Sequence, residues 1–309
     1  MTVSKGVAMI LEFQPQAVVA LGGGSSIDAA KAIVYFAAKE SNAPRCKFVA
    51  IPTTSGTGSE MTNFAVISNP EKAAKYPLVN DELYPDIAVL DAELVKTVPP
   101  AITAATGMDV FTHAVEAFVC TEANHFTDAC AEKAMKLVRS YLLRCYKNPE
   151  DMEARQGMHD ASCLAGIAFT NAGLGLVHGM AHTFGAHFHV PHGKANAILL
   201  PYVMGFNAGC YDSQLTDVAK KYARISRLLR IEGPGIRQSA FSLIRTMRQY
   251  NTRLGIPATI KEEFESVLDE MCKAAKADNC TSTNPRECTP EDIRKIFLQA
   301  YDGKIGTGR

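Results

Sequence analysis

The order of strand and helix patterns predicts a parallel α/β domain followed by an all-α domain. Three short apolar runs, at 17–21, 48–51 and 87–90, are typical of strands buried on both faces, and a helix pattern from Ile27 to about Lys39 separates the first two. A strand, a helix and a second strand in this order form a parallel pair. After Pro99 and Pro100 the patterns are helical, at 104–120, 127–147, 152–172, 175–187, 215–229, 235–254, 259–275 and 290–301. We therefore expect residues 1–99 and residues 100–309 to form the two domains.

The start of the chain shapes the expectation for the first domain. Residues Val3–Phe13 have a helical pattern that leads directly into the first strand. A doubly wound sheet normally has a further βαβ unit beside such a strand. We therefore expect an α/β domain that is truncated at its start, with an uncovered sheet edge.

Composition and charge exclude several classes of protein. The 309 residues are 47% hydrophobic and 21% charged with zero net charge, which is normal for a globular protein and gives no signature for nucleic acid or an anionic membrane. No apolar run approaches the length of a bilayer span, and the first residues are too polar for a signal peptide. The nine cysteines show no paired spacing, which indicates reduced thiols. We expect a cytoplasmic protein that binds neither nucleic acid nor membrane.

Two loops rich in glycine and hydroxyl residues follow the first two strands. The first, GGGSSID, spans 22–28, and the second, PTTSGTGSE, spans 52–60. Glycines between a strand and a helix let backbone N–H groups approach a phosphate at the helix N-terminus, although such a run also occurs in simple tight turns. The second loop by itself is equally typical of a polar loop with a helix cap. Because parallel strands end at one edge of a sheet, the two loops together favour a nucleotide site.

Histidines are concentrated in one segment. Five of the eight lie between Leu174 and Lys194, interleaved with glycine and alanine. Upstream, Asp109 and His113 are four residues apart in a helical pattern and so share one helix face, as do His178 and His182. A single buried histidine or one acid–histidine pair is more often part of an ordinary core, but five histidines in fifteen residues are harder to explain by packing.

Imidazoles with one carboxylate suit a divalent transition metal such as Fe²⁺ or Zn²⁺. His187 and His189 fall outside the four-residue spacing, and His192 follows Pro191 in a predicted turn. Spacing alone nominates five ligands, which is one more than a tetrahedral site needs: Asp109, His113, His178, His182 and His192.

The chain resembles the iron-containing (group III) alcohol dehydrogenases over essentially its whole length from the glycine loop onward. The motifs that carry the resemblance are GGGSSIDAAKA, IPTTSGTGSE, KYPLVNDELYPDIAVLD, GMDVFTHAVEA, NAGLGLVHGMAHTFG and PHGKANAILLP. It is most similar to the 1-propanol dehydrogenase branch found with bacterial propanediol-utilisation microcompartments, and the ethanol and lactaldehyde reductase branches are near neighbours. The resemblance implies a dehydroquinate synthase-like architecture, with a dinucleotide-binding domain and an all-α metal-binding domain.

The resemblance also implies roles for individual residues. It assigns Fe²⁺, or alternatively Zn²⁺, to Asp109, His113, His178 and His192, and it makes His182 a candidate proton relay beside the nicotinamide. NAD or NADP is implied as cofactor, with the residue that separates the two expected in the missing βαβ unit. The implied cofactor contacts are Gly23, Gly24 and Ser25 at the pyrophosphate, Thr53, Thr54 and Thr57 along the cofactor, Lys75 at a ribose, and Leu94 and Val98 beside the nicotinamide.

The activity that the resemblance implies is oxidation of short-chain primary alcohols and reduction of their aldehydes, as with 1-propanol and propanal or ethanol. A homodimer or larger assembly, contact with microcompartment proteins and residence inside a microcompartment are implied with it. A lactaldehyde/1,2-propanediol-type oxidoreductase and an inactive, truncated metal-binding remnant stay open. A dehydroquinate synthase-like lyase is disfavoured, because Lys194 is the only basic lysine or arginine between Leu174 and Asn196. His113 argues against a glycerol dehydrogenase-like zinc enzyme.

Overall fold

The structure is a computed structural model that describes residues 2–69, 74–210, 212, 214–231 and 233–304, and the side chains of 68, 69 and 74–76 lie outside the described part. The first region comprises α1 (Thr2–Phe13), β1 (Ala17–Gly22), α2 (Gly24–Ser41), β2 (Lys47–Pro52), β3 (Phe64–Asn69), β4 (Ala74–Val79) and β5 (Ile87–Ala88). Strands β1 and β2 are parallel, from Ala17 opposite Lys47 to Gly22 opposite Pro52. Strand β5 is parallel to β2, in the order β1-β2-β5. The predicted parallel sheet is confirmed, and β1 and β2 end at the same edge.

The expectation that these strands are buried on both faces is wrong. Ala20, Phe48 and Ala50 are buried in a small core with residues of α2. The side chains that alternate with them on β1 are largely exposed, Val19 by 59% and Leu21 by 58%. Because successive strand residues point to opposite faces, α2 covers only one of the two. The apolar runs indicated strands correctly but not how many of their faces are covered.

The antiparallel hairpin of β3 and β4 was not predicted. Phe64 lies opposite Val79, and Pro77 on β4 lies opposite Val66. Two polar side chains of α2 hold the hairpin in place. Lys31 is buried and donates from Nζ to the Thr62 and Phe64 carbonyls at 2.7 and 2.8 Å, while Asp28 Oδ2 accepts from the Val66 N–H at 3.0 Å. A proline within the segment obscured its strand pattern, since proline is confined to edges and bulges of sheets.

The second region is helical in the described residues. It comprises α3 (Pro100–Val119), α4 (His125–Lys147), α5 (Met152–Ala172), α6 (Leu176–Phe188), α7 (His192–Ala208), α8 (Val218–Leu228), α9 (Ile236–Arg253), α10 (Leu268–Ala277) and α11 (Pro290–Asp302). Helices α4, α5 and α7 pack around α3, in which every residue from Gly107 to Val119 is buried. A polar residue in this stretch of α3 therefore lies in the interior of the domain.

Two helix predictions need correction. Helix α7 was missed, and His192 begins this helix instead of lying in a turn. Nearly all of α7 is buried, so it lacks the alternation of polar and apolar faces that marks a helix in sequence, and Pro201 lies within it. The helix predicted at 259–275 begins only at Leu268. The segment before Leu268 is bonded to α11 instead: the Ile260 N–H donates to the Ala300 carbonyl at 3.1 Å.

The junction between the two regions is held by one buried arginine. Arg155 of α5 donates to the Val98 carbonyl at 3.0 Å and to Thr103 Oγ1 at 2.9 Å. Helix α3 begins at Pro100. The division of the chain after residue 99 stays a prediction.

The structure also bears on two sequence predictions, the absence of a membrane span and the state of the cysteines. Within the described residues no single helix has the length and hydropathy needed to cross a bilayer, while α5 and α6 meet that measure only as a pair bent by 106°. All nine cysteines have free thiols, as their spacing predicted.

Candidate metal centre

Three helices place a compact group of metal-ligating side chains in the core of the second region. Helix α3 contributes Asp109 and His113, α6 contributes His178, and α7 contributes His192 at its first residue. Each residue offers one ligand atom, and these four atoms lie within 4.8 Å of one another. Asp109, His113 and His178 are buried, while the His192 side chain is 40% exposed. The structure therefore brings together the four residues that the resemblance assigned to a metal.

The electrostatics of the group suit a cation. The Nε2 atoms of His178 and His192 lie 3.8 and 3.7 Å from Asp109 Oδ1. Burial lowers the pKa of His113, and burial together with the neighbouring imidazoles holds the pKa of His178 well below its ordinary value. Neutral imidazoles each keep a lone pair that a metal can accept. Several lone pairs and one carboxylate directed at one region are the ligand set of a divalent transition metal.

Asn196 lies against three of the four residues of this group. This buried residue lies one turn after His192, and its Nδ2 is 2.6 Å from Asp109 Oδ1 and 3.1 Å from the Nε2 atoms of His178 and His192. An amide has two hydrogens for these three acceptors, and Asn196 Oδ1 is buried with no hydrogen-bond partner among the described residues. The surplus of acceptors facing one point fits a cation. Sequence analysis did not nominate Asn196, although its four-residue spacing from His192 was a usable signal.

A second buried carboxylate lies behind His178. Glu116 Oε2 is 2.5 Å from His178 Nδ1, and Glu116 Oε1 accepts from the Val177 N–H at 2.7 Å. Burial raises the pKa of Glu116 to about 8, against the lowering effect of N–H groups of Val177, His178 and Gly175. Glu116 follows Asp109 by seven residues and His113 by three, so all three share one face of α3. That spacing was the signal that could have identified it.

His182 lies at the exposed side of the group. Its ring stacks on that of His192, with centroids 5.3 Å apart and 14° between planes, and its side chain is 44% exposed. His182 Nδ1 is 2.9 Å from Asp278 Oδ2. Burial favours a higher pKa for Asp278, but the hydrogen bonds from His182 and from Cys280 outweigh it and lower that pKa. Asp278 has no local sequence pattern linking it to His182, so the sequence alone does not indicate it. His187 and His189 lie outside the group.

The two glycine-rich loops meet at the ends of β1 and β2. Gly23 precedes the first residue of α2, and a Cβ built there would be 3.4 Å from Thr54 Cγ2. A Cβ at Gly24 would be only 2.7 Å from Thr57 Cγ2, so a larger residue would push the loops apart. The predicted residues Gly23, Gly24, Thr54 and Thr57 are therefore brought together next to the N-terminus of a helix. This geometry is one that binds phosphate.

The other predicted cofactor residues are placed less tightly. Ser25 is exposed in the first turn of α2, and Thr53 donates from its backbone N–H to the Gly22 carbonyl at 3.0 Å. Leu94 lies half-buried in a short 3₁₀ turn, and Val98 lines a small cavity with Ser55 and Thr106. Lys75 belongs to β4, but its side chain lies outside the described part.

The second loop packs directly on the helical region. Added Cβ atoms at Gly56 and Gly58 would lie 2.7 Å from Thr106 Cβ and 2.9 Å from Gly166 Cα. Gly58 also has a φ of +61°, a conformation that favours glycine. Burial lowers the pKa of His113, and the nearby Gly56 backbone acts in the opposite direction, so the loop adjoins the candidate metal centre. Sequence analysis predicted both sites but not this contact.

A buried histidine that the sequence did not nominate supports the same loop. Ser55 Oγ is 3.0 Å from Nδ1 of His159 on α5. Burial lowers the pKa of His159, and its Nε2 has no hydrogen-bond partner among the described residues. The loop is thus held on α5 by a side-chain bond as well as by close backbone packing.

Comparison with known proteins places this arrangement in a family. The family model described as iron-containing alcohol dehydrogenase matches residues 1–92, and the one for the C-terminal part of the Fe-containing alcohol dehydrogenases matches 103–301. The chain is 48% identical to the 1-propanol dehydrogenase PduQ of Salmonella typhimurium, with 96% of this chain and 80% of that protein aligned. It is 41% identical to an NADPH-dependent butanol dehydrogenase of Clostridium saccharobutylicum, over 98% of this chain and 81% of the other.

Solved structures agree with the sequence relatives. A 1,3-propanediol oxidoreductase superposes with a TM-score of 0.88 at 34% identity, covering 97% of this chain and 80% of that one. An iron-containing alcohol dehydrogenase from Thermococcus thioreducens superposes with a TM-score of 0.87 at 37% identity, covering 98% and 82%. The predicted fold class, a parallel α/β region followed by a helical one, is confirmed by these likenesses. This chain belongs to the iron-containing alcohol dehydrogenase family.

Proposed function

We propose that this chain interconverts short-chain primary alcohols and their aldehydes with NAD or NADP, using Fe²⁺ or Zn²⁺ held by Asp109, His113, His178 and His192. The observation that carries the proposal is the convergence of four ligand atoms within 4.8 Å in the core of the helical region. Such a concentration of buried lone pairs is costly unless something compensates it. A divalent cation is the compensation that this set of side chains suits best.

The adjoining loops support a nucleotide cofactor. Gly23, Gly24 and Ser25 would hold the pyrophosphate at the N-terminus of α2, where backbone N–H groups and the helix dipole favour negative charge. Thr53, Thr54 and Thr57 would line the cofactor, and Leu94 and Val98 would flank its nicotinamide end. The second loop supports a cofactor that extends from α2 toward the metal, because this loop begins at the end of β2 and adjoins His113. Lys75 is proposed at a ribose from the family resemblance alone.

The residues around the metal suggest how protons move. A bound metal would act as a Lewis acid toward the alcohol or aldehyde oxygen, and a bound nicotinamide would accept or supply hydride. His182 donates from Nδ1 to Asp278, so the lone pair of its Nε2 remains for proton exchange. The exposed position of His182 gives a route between the site and solvent. We therefore assign His182 as the proton relay and Asp278 as the residue that orients it.

The relatives direct the choice of substrate. PduQ is named a 1-propanol dehydrogenase and the clostridial protein a butanol dehydrogenase, so we propose unbranched primary alcohols of that size. From the family resemblance we also propose a homodimer or larger assembly and an association with microcompartment proteins. A lactaldehyde/1,2-propanediol-type activity is the alternative that the same experiment examines.

The proposal is tested by metal analysis and turnover on the same preparations. Protein is loaded with Fe²⁺ or Zn²⁺, and its metal content and nucleotide binding are measured. Oxidation of 1-propanol and of 1,2-propanediol is then followed with NAD⁺ and with NADP⁺. His178→Ala and His192→Ala each remove one ligand, and both variants should bind metal more weakly and lose turnover. His187→Ala removes an imidazole from the same helix outside the cluster, and should retain both.

Three results would count against parts of the proposal. Metal content and full turnover preserved in both ligand variants would refute the assigned ligands. A wild-type protein that binds metal and nucleotide but turns over 1,2-propanediol in preference to 1-propanol would favour the alternative substrate. Metal binding without nucleotide binding would favour an inactive remnant.

A further inference from the structure

We infer that Glu116 is the positioning residue of the metal centre: it fixes the orientation of the His178 ring and ties that ligand to the first turn of α6. The inference rests on the proposed function, because it takes His178 as a metal ligand. It concerns a residue outside the four ligands and makes a separate claim about how one of them is held.

The two oxygens of Glu116 serve different partners. Oε2 lies 2.5 Å from His178 Nδ1, and Oε1 accepts the Val177 N–H at 2.7 Å. Both Glu116 and His178 are buried, so water does not compete for these bonds. One carboxylate thus contacts a ligand's imidazole and the backbone that carries the ligand.

This contact determines which nitrogen of His178 faces the cation. When Nδ1 carries the proton and donates it to Glu116, the lone pair is on Nε2. Nε2 is the atom that lies 3.8 Å from Asp109 Oδ1 on the side of the other ligands. A carboxylate behind a ligating histidine also raises the basicity of the imidazole and strengthens its bond to a metal.

The surrounding backbone is shaped to admit Glu116. Gly175 precedes α6, and a Cβ built on it would lie 2.7 Å from Glu116 Oε1. Glycine at this position lets the carboxylate reach the N–H groups at the start of the helix. Those groups have no partner within the helix and favour a negative charge beside them.

A neighbouring side chain provides a matched control. Asn284 Oδ1 accepts the Leu176 N–H at 3.1 Å, at the same end of the same helix. No hydrogen bond from Asn284 to His178 is found among the described residues, so Asn284 supports α6 without acting on the ligand. If Glu116 acts only by capping α6, loss of either residue should have the same effect on metal binding.

The experiment uses Co²⁺ as the probe metal. Its binding to the metal-free full chain is measured by competition with a chromophoric chelator. The variants are Glu116→Gln, Glu116→Asp, Asn284→Ala, His178→Ala and the double variant Glu116→Gln/His178→Ala. Glu116→Asp keeps the charge but shortens the side chain by one methylene, which withdraws the carboxylate from His178. This variant tests the inference even if Glu116→Gln fails to fold. Thermal unfolding of each metal-free variant measures the structural contribution separately.

We expect Glu116→Gln and Glu116→Asp to raise the Co²⁺ dissociation constant by about 10- to 100-fold, the usual effect of losing such a partner. Asn284→Ala should lower the unfolding temperature while leaving the dissociation constant unchanged. In the His178→Ala background, adding Glu116→Gln should change the dissociation constant no further, because the residue through which it acts is gone.

The inference is overturned if both Glu116 variants bind Co²⁺ as tightly as the wild type, or if Asn284→Ala weakens binding equally. An undiminished effect of Glu116→Gln in the His178→Ala background would overturn it as well. These outcomes differ from failure of the proposed function, which would appear as a wild-type protein that binds no Co²⁺ or whose binding is unaffected by His178→Ala.

Discussion

Gly193→Ala should damage the metal centre by separating two helices. Gly193 follows His192 on α7, and a Cβ built on it would lie 2.2 Å from the Ala105 carbonyl oxygen and 2.7 Å from the Ala105 carbonyl carbon of α3. Ordinary contacts begin near 3.5 Å, so α7 must withdraw from α3 by roughly 1 Å. The obstacle is backbone and has no rotamer that relieves the clash.

The size of the effect follows from this displacement. Overpacking a core typically costs about 1–3 kcal/mol of stability. The same movement carries His192 away from Asp109, whereas ligand distances at a metal are held within about 0.2 Å. We therefore expect a lower unfolding temperature and a loss of Co²⁺ or Zn²⁺ affinity of at least about 10-fold, comparable with other disturbances around metal ligands.

Circular dichroism melting and chelator competition measure the two effects. Gly185→Ala on α6 is the matched control, because its added Cβ has its nearest neighbour, the Val190 carbonyl oxygen, at an ordinary 3.5 Å. This control should bind metal normally and melt no lower than the wild type, since alanine favours a helix over glycine. A Gly193→Ala variant that melts and binds metal like the wild type would refute the close approach of α3 and α7.

Two further predictions concern residues outside the ligand set. Asp278→Asn removes the charge that accepts from His182 Nδ1, so we expect kcat to fall about 10-fold or more while metal content is retained. This loss is part of the roughly 10²–10⁴-fold that an acid–base group contributes to the rate. Unchanged turnover would refute the proposed role of this pair. Glu60 is buried, and burial raises its pKa from 4.5 to about 7, so the folded protein favours the protonated side chain. The contribution of this group to stability is therefore full below pH 4.5 and is lost as the pH rises toward 7. Glu60→Gln should therefore gain stability over the wild type between pH 5 and pH 8, by about 3 kcal/mol at most, in urea unfolding; an equal difference at both pH values would contradict this.

The helical spacing of acids and histidines was readable from the sequence because it is local. Asp109 and His113 lie on the same face of α3 in successive turns, as their four-residue separation predicted. The choice among five candidate ligands was not readable in this way. It depends on how α6 and α7 are oriented against α3, and the family resemblance separated His182 from the ligands before the structure placed it beside Asp278.

The missed features share a different cause. Glu116, Asn196 and Asp278 act through partners far away in sequence, at separations of 62, 87 and 96 residues. Helix α7 escaped notice because burial on all sides removes the periodicity by which helices are recognised. The half-exposed sheet was misread for a related reason, since an apolar run does not reveal whether one or two layers cover it.

The distribution of ligands over α3, α6 and α7 has a consequence for the folding of the chain. No single hairpin or helix pair contains the whole ligand set, so the site forms only when the non-local contacts of the helical region are complete. Such contacts require closure of long loops, which costs chain entropy. Metal binding at the proposed site would therefore report on native packing across the region, and substitutions far from the proposed ligands should weaken it when they loosen the docking of these helices.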